Sequence, residues 1–285
     1  MRNIVWLASY PKSGNTWLRA FLTNFQNTGD GPADINNLAV SKFASNRRTA
    51  DNALGIECSD LTWEEIDSYR PAIYRYLAGQ SRDMLFVKSH DAYILNANAE
   101  PIIPADVTLA AIYVVRNPLD VAVSLANYRG SAPDDAIDQM ASESATLSGH
   151  RERLSFHLRQ SLLSWSQHVL SWLDQRAIRL HVMRYEDMSW RADETFREVI
   201  QFLGLPDDVE RIRRAVAFSA FDALRQQELE SGFKEKPVET AAFFRRGRPG
   251  AWRETLGHEQ VERLVRNHGA VMRRLGYLSQ SGFPE

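Results

Sequence analysis

The sequence predicts an α/β fold. It is read as a single domain over 1–285, with a central parallel sheet flanked by helices on both faces and a P-loop-like strand–turn–helix at its start. Three observations carry this. The length of 285 residues suits one large domain and is short for two. Short, almost unbroken apolar runs alternate with stretches of helical spacing, the pattern of parallel strands buried on both faces. The first such run and the first such helix are joined by a polar, glycine-containing turn.

The elements follow in order. Ile4–Ala8 is a compact buried strand, Ser9–Asn15 the turn, and Thr16–Phe25 a helix whose Trp17, Leu18, Phe21, Leu22 and Phe25 fall on one face. Thr62–Leu77 has helical spacing and is rich in aromatics. Met84–Val87 is a second strand ending at Lys88-Ser89-His90, and Thr108–Val115 a third ending at Arg116-Asn117-Pro118. Proline in the first helical turn suits the helix that follows. A long helix is expected over Leu154–Leu173 and a fourth strand over Ile178–Met183, ending at Arg184-Tyr185-Glu186-Asp187. Asp193–Leu203, Asp207–Ala217 and Glu259–Leu275 complete the helices. The stretches 27–60, 128–150 and 228–257 lack clear periodicity and are expected to be irregular lid or substrate segments. All four strands end in charged or hydrogen-bonding residues, and in parallel sheets ligands bind beyond those ends.

Composition narrows the classes. Hydrophobic residues at 44% and charged residues at 25% exclude a fibrous or disordered chain. With 34 basic and 36 acidic side chains the net charge is −2, so no overall positive field points to nucleic acid as a partner. The lone cysteine, Cys58, excludes an intrachain disulfide and fits a reducing compartment. No apolar run approaches a membrane span, and the run Ile4–Ala8 is too short for a signal peptide. A cytoplasmic protein with no membrane partner is therefore expected. The histidines at 150, 157, 168, 181, 258 and 268 show no metal-ligand spacing, and no metal is expected.

The turn Ser9-Tyr10-Pro11-Lys12-Ser13-Gly14-Asn15-Thr16-Trp17 has the physics of an anion site. Backbone N–H groups and the positive end of a helix dipole point at one spot. Gly14 allows close approach, Lys12 adds a charge, and Ser13 and Thr16 add hydroxyls. The Walker spelling is absent, because Lys12 precedes the only glycine, and no strand-end carboxylate is placed to hold magnesium. That argues against a kinase using ATP and magnesium, which stays the enzyme alternative. A non-catalytic nucleotide-binding module is the other.

These segments carry a family resemblance. Tyr10-Pro11-Lys12-Ser13-Gly14-Asn15-Thr16-Trp17 resembles the 5′-phosphosulfate loop YPKSGTTW of the cytosolic-type sulfotransferases, with Asn15 for a threonine. Arg116–Ser124 resembles their 3′-phosphate motif RNPxDxxxS, and Lys88-Ser89-His90 their lysine–x–histidine segment. That segment usually continues with Leu-Pro, where this chain has Asp91-Ala92. Phe244–Arg253 resembles the loop RKGxxGDWK, with Arg246, Ala251 and Arg253 for its Lys, Asp and final Lys. The chain is thus similar to that family, as a bacterial-like member acting on small molecules.

The resemblance implies the sulfotransferase fold and transfer of a sulfuryl group from 3′-phosphoadenosine 5′-phosphosulfate (PAPS) to a hydroxyl, leaving adenosine 3′,5′-bisphosphate (PAP). Residues 13–16 (Ser13, Gly14, Asn15 and Thr16) would hold the phosphosulfate, with Lys12 stabilising the bridging oxygen as the bond breaks. Arg116, Ser124, Arg245, Arg246 and Gly247 would hold the 3′-phosphate. Trp17, Tyr185, Ser219 and Phe221 would surround adenine, although Trp17 serves equally as a core residue. His90 would be the general base, with Lys88 balancing charge on the transferring group. Asp120 and Asp187 read as bracing carboxylates. Residues 243–253 hold four arginines and no acid, so this loop is expected to move until an anion binds.

The acceptor is a small molecule or a glycosylated hydroxyl compound. Trp63–Tyr76, Tyr93, Tyr128 and Phe156 either wall its pocket or belong to the core. The family's dimerisation pattern KxxxTVxxxE does not appear between Lys234 and Phe243, which leaves the oligomeric state open.

Overall fold

A computed structural model describes residues 1–38, 42–149, 155–237, 240–279 and 281–284. His150, Leu154 and part of the Lys234–Phe243 stretch lie outside them. The strands are β1 (Ile4–Ser9), β2 (Lys42–Phe43), β3 (Leu85–Ser89), β4 (Thr108–Val115), β5 (Thr146–Leu147), β6 (Gln160–Ser161) and β7 (Leu180–Arg184). The helices are α1 (Asn15–Gln26), α2 (Arg47–Leu54), α3 (Trp63–Gly79), α4 (Pro118–Arg129), α5 (Pro133–Ala141), α6 (Trp165–Asp174), α7 (Tyr185–Trp190), α8 (Ala192–Leu203), α9 (Val209–Phe218), α10 (Phe221–Ser231) and α11 (His258–Arg274).

The fold is the α/β class expected: a central parallel sheet of order β2-β3-β1-β4-β7, flanked by helices. β1 pairs in parallel with β3, Ile4 opposite Leu85 through to Ala8 opposite Ser89. Its fifth strand, β2, is two residues long, pairs Phe43 with Lys88, and leaves no apolar run to find in the sequence.

Two compact units divide the chain. The first comprises Met1–Tyr10, Ser41–Tyr113 and Glu143–Val182; the second comprises Pro11–Val40, Val114–Ser142 and Met183–Glu285. The boundary between them falls inside β4 and β7. In the first unit every residue of β1 is buried, as a continuous apolar strand requires. Trp6 meets Tyr74 of α3 edge-on at 4.8 Å, and Tyr113 of β4 stacks on Trp172 of α6 at 5.8 Å. In the second unit Phe21 of α1 stacks on Phe196 of α8 at 4.1 Å.

The expected helix over Leu154–Leu173 is corrected. Residues 155–164 are not helical, β6 (Gln160–Ser161) pairs antiparallel with β5, and within the described part of that stretch only Trp165–Asp174 is helical. Leu163 takes a left-handed φ of 58°, and the Ser164 side chain caps α6 by accepting from the Gln167 N–H. The non-helical run finds its hydrogen bonds elsewhere: Leu158 donates to Ser45 at 2.7 Å, and Ser161 accepts from Ala92 at 2.8 Å. The irregular stretches are also partly ordered. α2 hid in 27–60 because only Ala50 of its mostly polar residues is buried. α5 hid in 128–150 because its core contribution is small, Ala136, Ile137 and Met140. The stretch 228–257 opens with the end of α10 and holds a short 3₁₀ turn at Ala251–Glu254.

Candidate active site

The turn between β1 and α1 is built from two left-handed residues flanking Ser13. Lys12 has φ 68° and Gly14 has φ 106°. A lysine in that region is strained, a cost proteins retain mainly where a loop shape is needed. Alternation of backbone handedness turns successive N–H groups toward one concavity, and α1 starts immediately after it. Gly14 is required on a second ground, since a Cβ there would lie 2.6 Å from Cδ2 of Tyr185. The Ser13 hydroxyl and the indole N–H of Trp17 are buried and have no hydrogen-bond partner among the described residues. Groups left that way are costly unless a ligand satisfies them.

Lys12 sends its ammonium between two rings, 4.2 Å from the centre of Tyr128 and 4.0 Å from that of Phe243. Tyr128, a sequence candidate for the acceptor wall, therefore packs on the lysine of the turn. Trp17 is partly buried, edge-on to Tyr185 at 5.7 Å and to Phe196 at 5.9 Å.

Arg116 leaves the end of β4 and donates to the Lys12 carbonyl at 3.2 Å, with its guanidinium 4.1 Å from the Tyr185 ring centre. Its Nε is buried without a partner among the described residues. Asn117 caps α4, accepting from Leu119 N–H at 3.0 Å, while its own N–H donates to Glu186 at 3.0 Å. Tyr277 donates to the other Glu186 oxygen at 2.9 Å. Burial pushes the Glu186 carboxyl up, against the Asn117 N–H that favours its charge. Burial likewise raises the Tyr185 phenol and keeps it neutral. Ser124 is partly buried on α4.

The C-terminal loop is tied at both ends by carboxylates. Glu228 accepts the N–H groups of Phe243 at 2.7 Å and Phe244 at 2.8 Å. Asp120 accepts those of Gly250 at 2.7 Å and Trp252 at 3.0 Å, which gives its bracing role a partner. Arg246 and Arg248 both pair with Glu254, the acid just past the arginine run. Arg245 is exposed and pushed down from its ordinary value by partial burial and by the like charges of Arg246 and Arg116. Gly247, φ 62°, lies against Phe221, where a Cβ would meet the ring at 2.1 Å. Ser219 is not brought to this group as a donor, because its fully buried hydroxyl donates to Ala215 at 2.8 Å. The second unit thus holds the Lys12–Gly14 turn, Arg116 bonded to it, and Arg245 and Arg246, whose charges and that of Arg116 act on one another.

The first unit carries the base candidate. His90 follows β3, and its Nδ1 lies 2.8 Å from the Ser9 carbonyl. A carbonyl only accepts, so this contact calls for a proton on Nδ1, and the neutral ring then carries its lone pair on Nε2. Lys88 is partly buried, its ammonium 4.8 Å from the Phe43 ring centre. The aromatic stretch divides: Tyr74 is core, Tyr69 and Tyr76 are exposed, and Phe156 projects beside His157 at 5.2 Å.

Sequence reasoning missed Glu186 and Glu228 as braces, and Arg70, which binds the Asp91 carboxylate. Glu186 lay in the residues that end the fourth strand, but nothing local marked Glu228, whose partners are 15 and 16 residues away, or the pairing of Arg70 with Asp91, 21 residues away. Among the described residues no three His, Cys, Asp or Glu side chains gather as a metal site, and no helix is long and apolar enough to cross a membrane.

The family model described as "Sulfotransferase domain" matches residues 2–276. Sulfotransferase 2A1 of Rattus norvegicus is 25% identical, covering 90% of this chain and 80% of its own. Luciferin sulfotransferase of Photinus pyralis is also 25% identical, covering 90% and 68%. Among solved structures, retinol dehydratase in a complex with retinol and PAP superposes with a TM-score of 0.62 at 18% identity, over 96% of this chain and 82% of that one. Mouse sulfotransferase SULT7A1 complexed with PAP gives 0.58 at 18% identity, over 98% and 86%.

Proposed function

Since the chain belongs to the sulfotransferase domain family, we propose that it is an enzyme moving a sulfuryl group from PAPS to a hydroxyl of a small-molecule or glycosylated acceptor. The observation that carries the donor choice is Arg116, which donates to the Lys12 carbonyl of the turn at 3.2 Å and keeps a buried Nε without a partner among the described residues, while partial burial and the charges of Arg246 and Arg116 push Arg245 down. A donor with a 5′-phosphosulfate and a separate 3′-phosphate matches two anion sites in one unit, whereas a plain nucleoside diphosphate matches one. The Ser13 hydroxyl and Trp17 N–H, buried without partners, fit donors facing such a ligand. Trp17, Tyr185 and Phe221 supply flat surface for the base, with Ser124 a hydroxyl and Gly247 a backbone approach for the 3′-phosphate.

Sulfuryl transfer, like phosphoryl transfer, is mostly positioning and charge stabilisation. His90 Nε2 takes the acceptor hydroxyl proton as the new O–S bond forms, while the sulfur's bond to the phosphosulfate bridging oxygen breaks in line with it. Lys12 and the turn amides stabilise the negative charge gathering on that bridging oxygen. Lys88 balances the charge of the passing group. Ser9, which fixes the His90 tautomer, precedes Lys12 by three residues of chain. Relatives named for luciferin and a flavonol support a compact aromatic acceptor, and Phe43 and Phe156 of the first unit would meet its rings. A cytoplasmic setting accords with the lone buried Cys58.

The deciding experiment is equilibrium binding of PAP against ADP without magnesium, together with turnover of His90→Ala. The reading requires a strong preference for PAP and a loss of at least about a hundredfold in turnover with PAP binding kept. Equal binding of the two nucleotides sinks the donor assignment, and unchanged turnover removes His90.

A further inference from the structure

We propose that the buried Arg70–Asp91 ion pair is the positioning device for His90, clamping the chain on either side of it so that its imidazole is presented in one tautomer. The inference rests on the reading of His90 as general base. Arg70 of α3 binds Asp91 with both ends of its fork, at 2.9 and 2.5 Å, and both side chains are buried. Burial works against the Arg70 charge, and the Asp91 carboxylate more than offsets it. The Tyr74 hydroxyl accepts from Arg70 Nη2 at 2.7 Å, the nitrogen that also binds Asp91, and from Nε at 2.9 Å.

A buried ion pair is a poor stability device, because both charges lose their hydration and an apolar pair of equal volume often does as well. What this pair holds is therefore informative. Asp91 Oδ2 accepts from the Ser89 hydroxyl at 3.1 Å, and Ser89 Oγ in turn accepts the Asp91 N–H at 3.1 Å. Asp91 Oδ1 accepts from the Ser161 N–H at 3.1 Å, and its carbonyl from the Trp172 indole at 2.9 Å. The residues immediately before and after His90 are thereby fixed to three other elements.

His90 itself is held from two directions. Its N–H donates to Gln160 at 3.3 Å, and its carbonyl accepts from His168 Nε2 at 3.1 Å. The Tyr113 hydroxyl, 2.8 Å from Nδ1 of His168, sets that imidazole in the tautomer it needs to donate. With the backbone pinned, the imidazole reaches the Ser9 carbonyl and its tautomer is decided.

The test replaces the pair by apolar residues of similar volume, R70M/D91L, with D91N as a second variant. The His90 ring nitrogens are read by ¹⁵N NMR, assigned by comparison with His90→Ala, alongside thermal midpoint, PAP affinity and transfer from 4-nitrophenyl sulfate to PAP. We expect at least one variant to fold with PAP affinity within about twofold of wild type. In it His90 should show mixed tautomers in place of a single Nδ1–H form, with kcat at least about tenfold lower and KM little changed. A folded variant with unaltered His90 signals overturns the proposal. So does failure of both variants to fold, which makes the pair a stability element. If His90→Ala keeps full turnover while the tautomer shifts as expected, it is the functional reading that fails and not the clamp.

Discussion

Gly14 and Tyr185 meet so closely that a Cβ on the glycine would stand 2.6 Å from the tyrosine ring, below any normal carbon contact. The glycine also has a φ of 106°, which side chains avoid. Gly14→Ala therefore has to move the ring or the turn. PAP affinity should fall at least about tenfold, measured by calorimetry, the strain being on the order of 1–2 kcal/mol before the clash is counted. Unchanged affinity would show that the turn tolerates a different shape.

Arg116 donates to the turn at Lys12, and its charge helps push Arg245 down, so its removal should discriminate between nucleotides. Arg116→Ala is expected to weaken PAP far more than ADP, by about 2 kcal/mol or more for a charge-assisted contact. Competition titrations with the two nucleotides give the answer. Equal weakening would place the 3′-phosphate elsewhere.

Asp120 carries two backbone N–H groups of the C-terminal loop, and losing a charged acceptor there costs about 1.5–3 kcal/mol per bond. Asp120→Ala should free the loop, so that trypsin cuts faster at Arg245, Arg246 and Arg248 and PAP dissociates sooner. Limited proteolysis with and without PAP reads this directly. Protection by PAP in the wild type but not in the variant is the expected pattern; equal cutting rates would make the anchor irrelevant.

Burial pushes both His168 and His268 down from 6.5 to about 4, so each is folded neutral. The unfolded chain binds more protons between those values, and stability therefore falls as pH drops. Thermal midpoints should be fully developed above about pH 6.5 and decline progressively toward pH 4. His268→Leu should flatten part of that decline. A midpoint constant across the window would mean that neither imidazole is buried in solution.

Much of this was legible in local sequence. The Ser9–Trp17 turn, the strand ends and the 116–124 segment are contiguous, and their chemistry depends on spacing along the chain. The helix over Leu154–Leu173 was misread because its apolar residues suit extended backbone equally well. Ser164 as a cap and Leu163 in the left-handed region, visible only in three dimensions, decide where α6 begins. α2 escaped notice because a helix burying one alanine has no apolar stripe to show.

The sequence by itself determined the α/β class, the glycine-containing turn after the first strand, the identity of the basic residues and the candidate base, because each is encoded by neighbours in the chain. Tertiary structure decided which groups serve those residues. Tyr128 and Phe243 enclose the Lys12 ammonium, Asp120 and Glu228 tie the basic loop, and Ser9 sets the proton on His90. These partners lie between 15 and 231 residues apart in the chain. Hydrogen bonds and ring contacts act over a few ångströms of space, and sequence separation carries no record of which distant residues folding will bring that close.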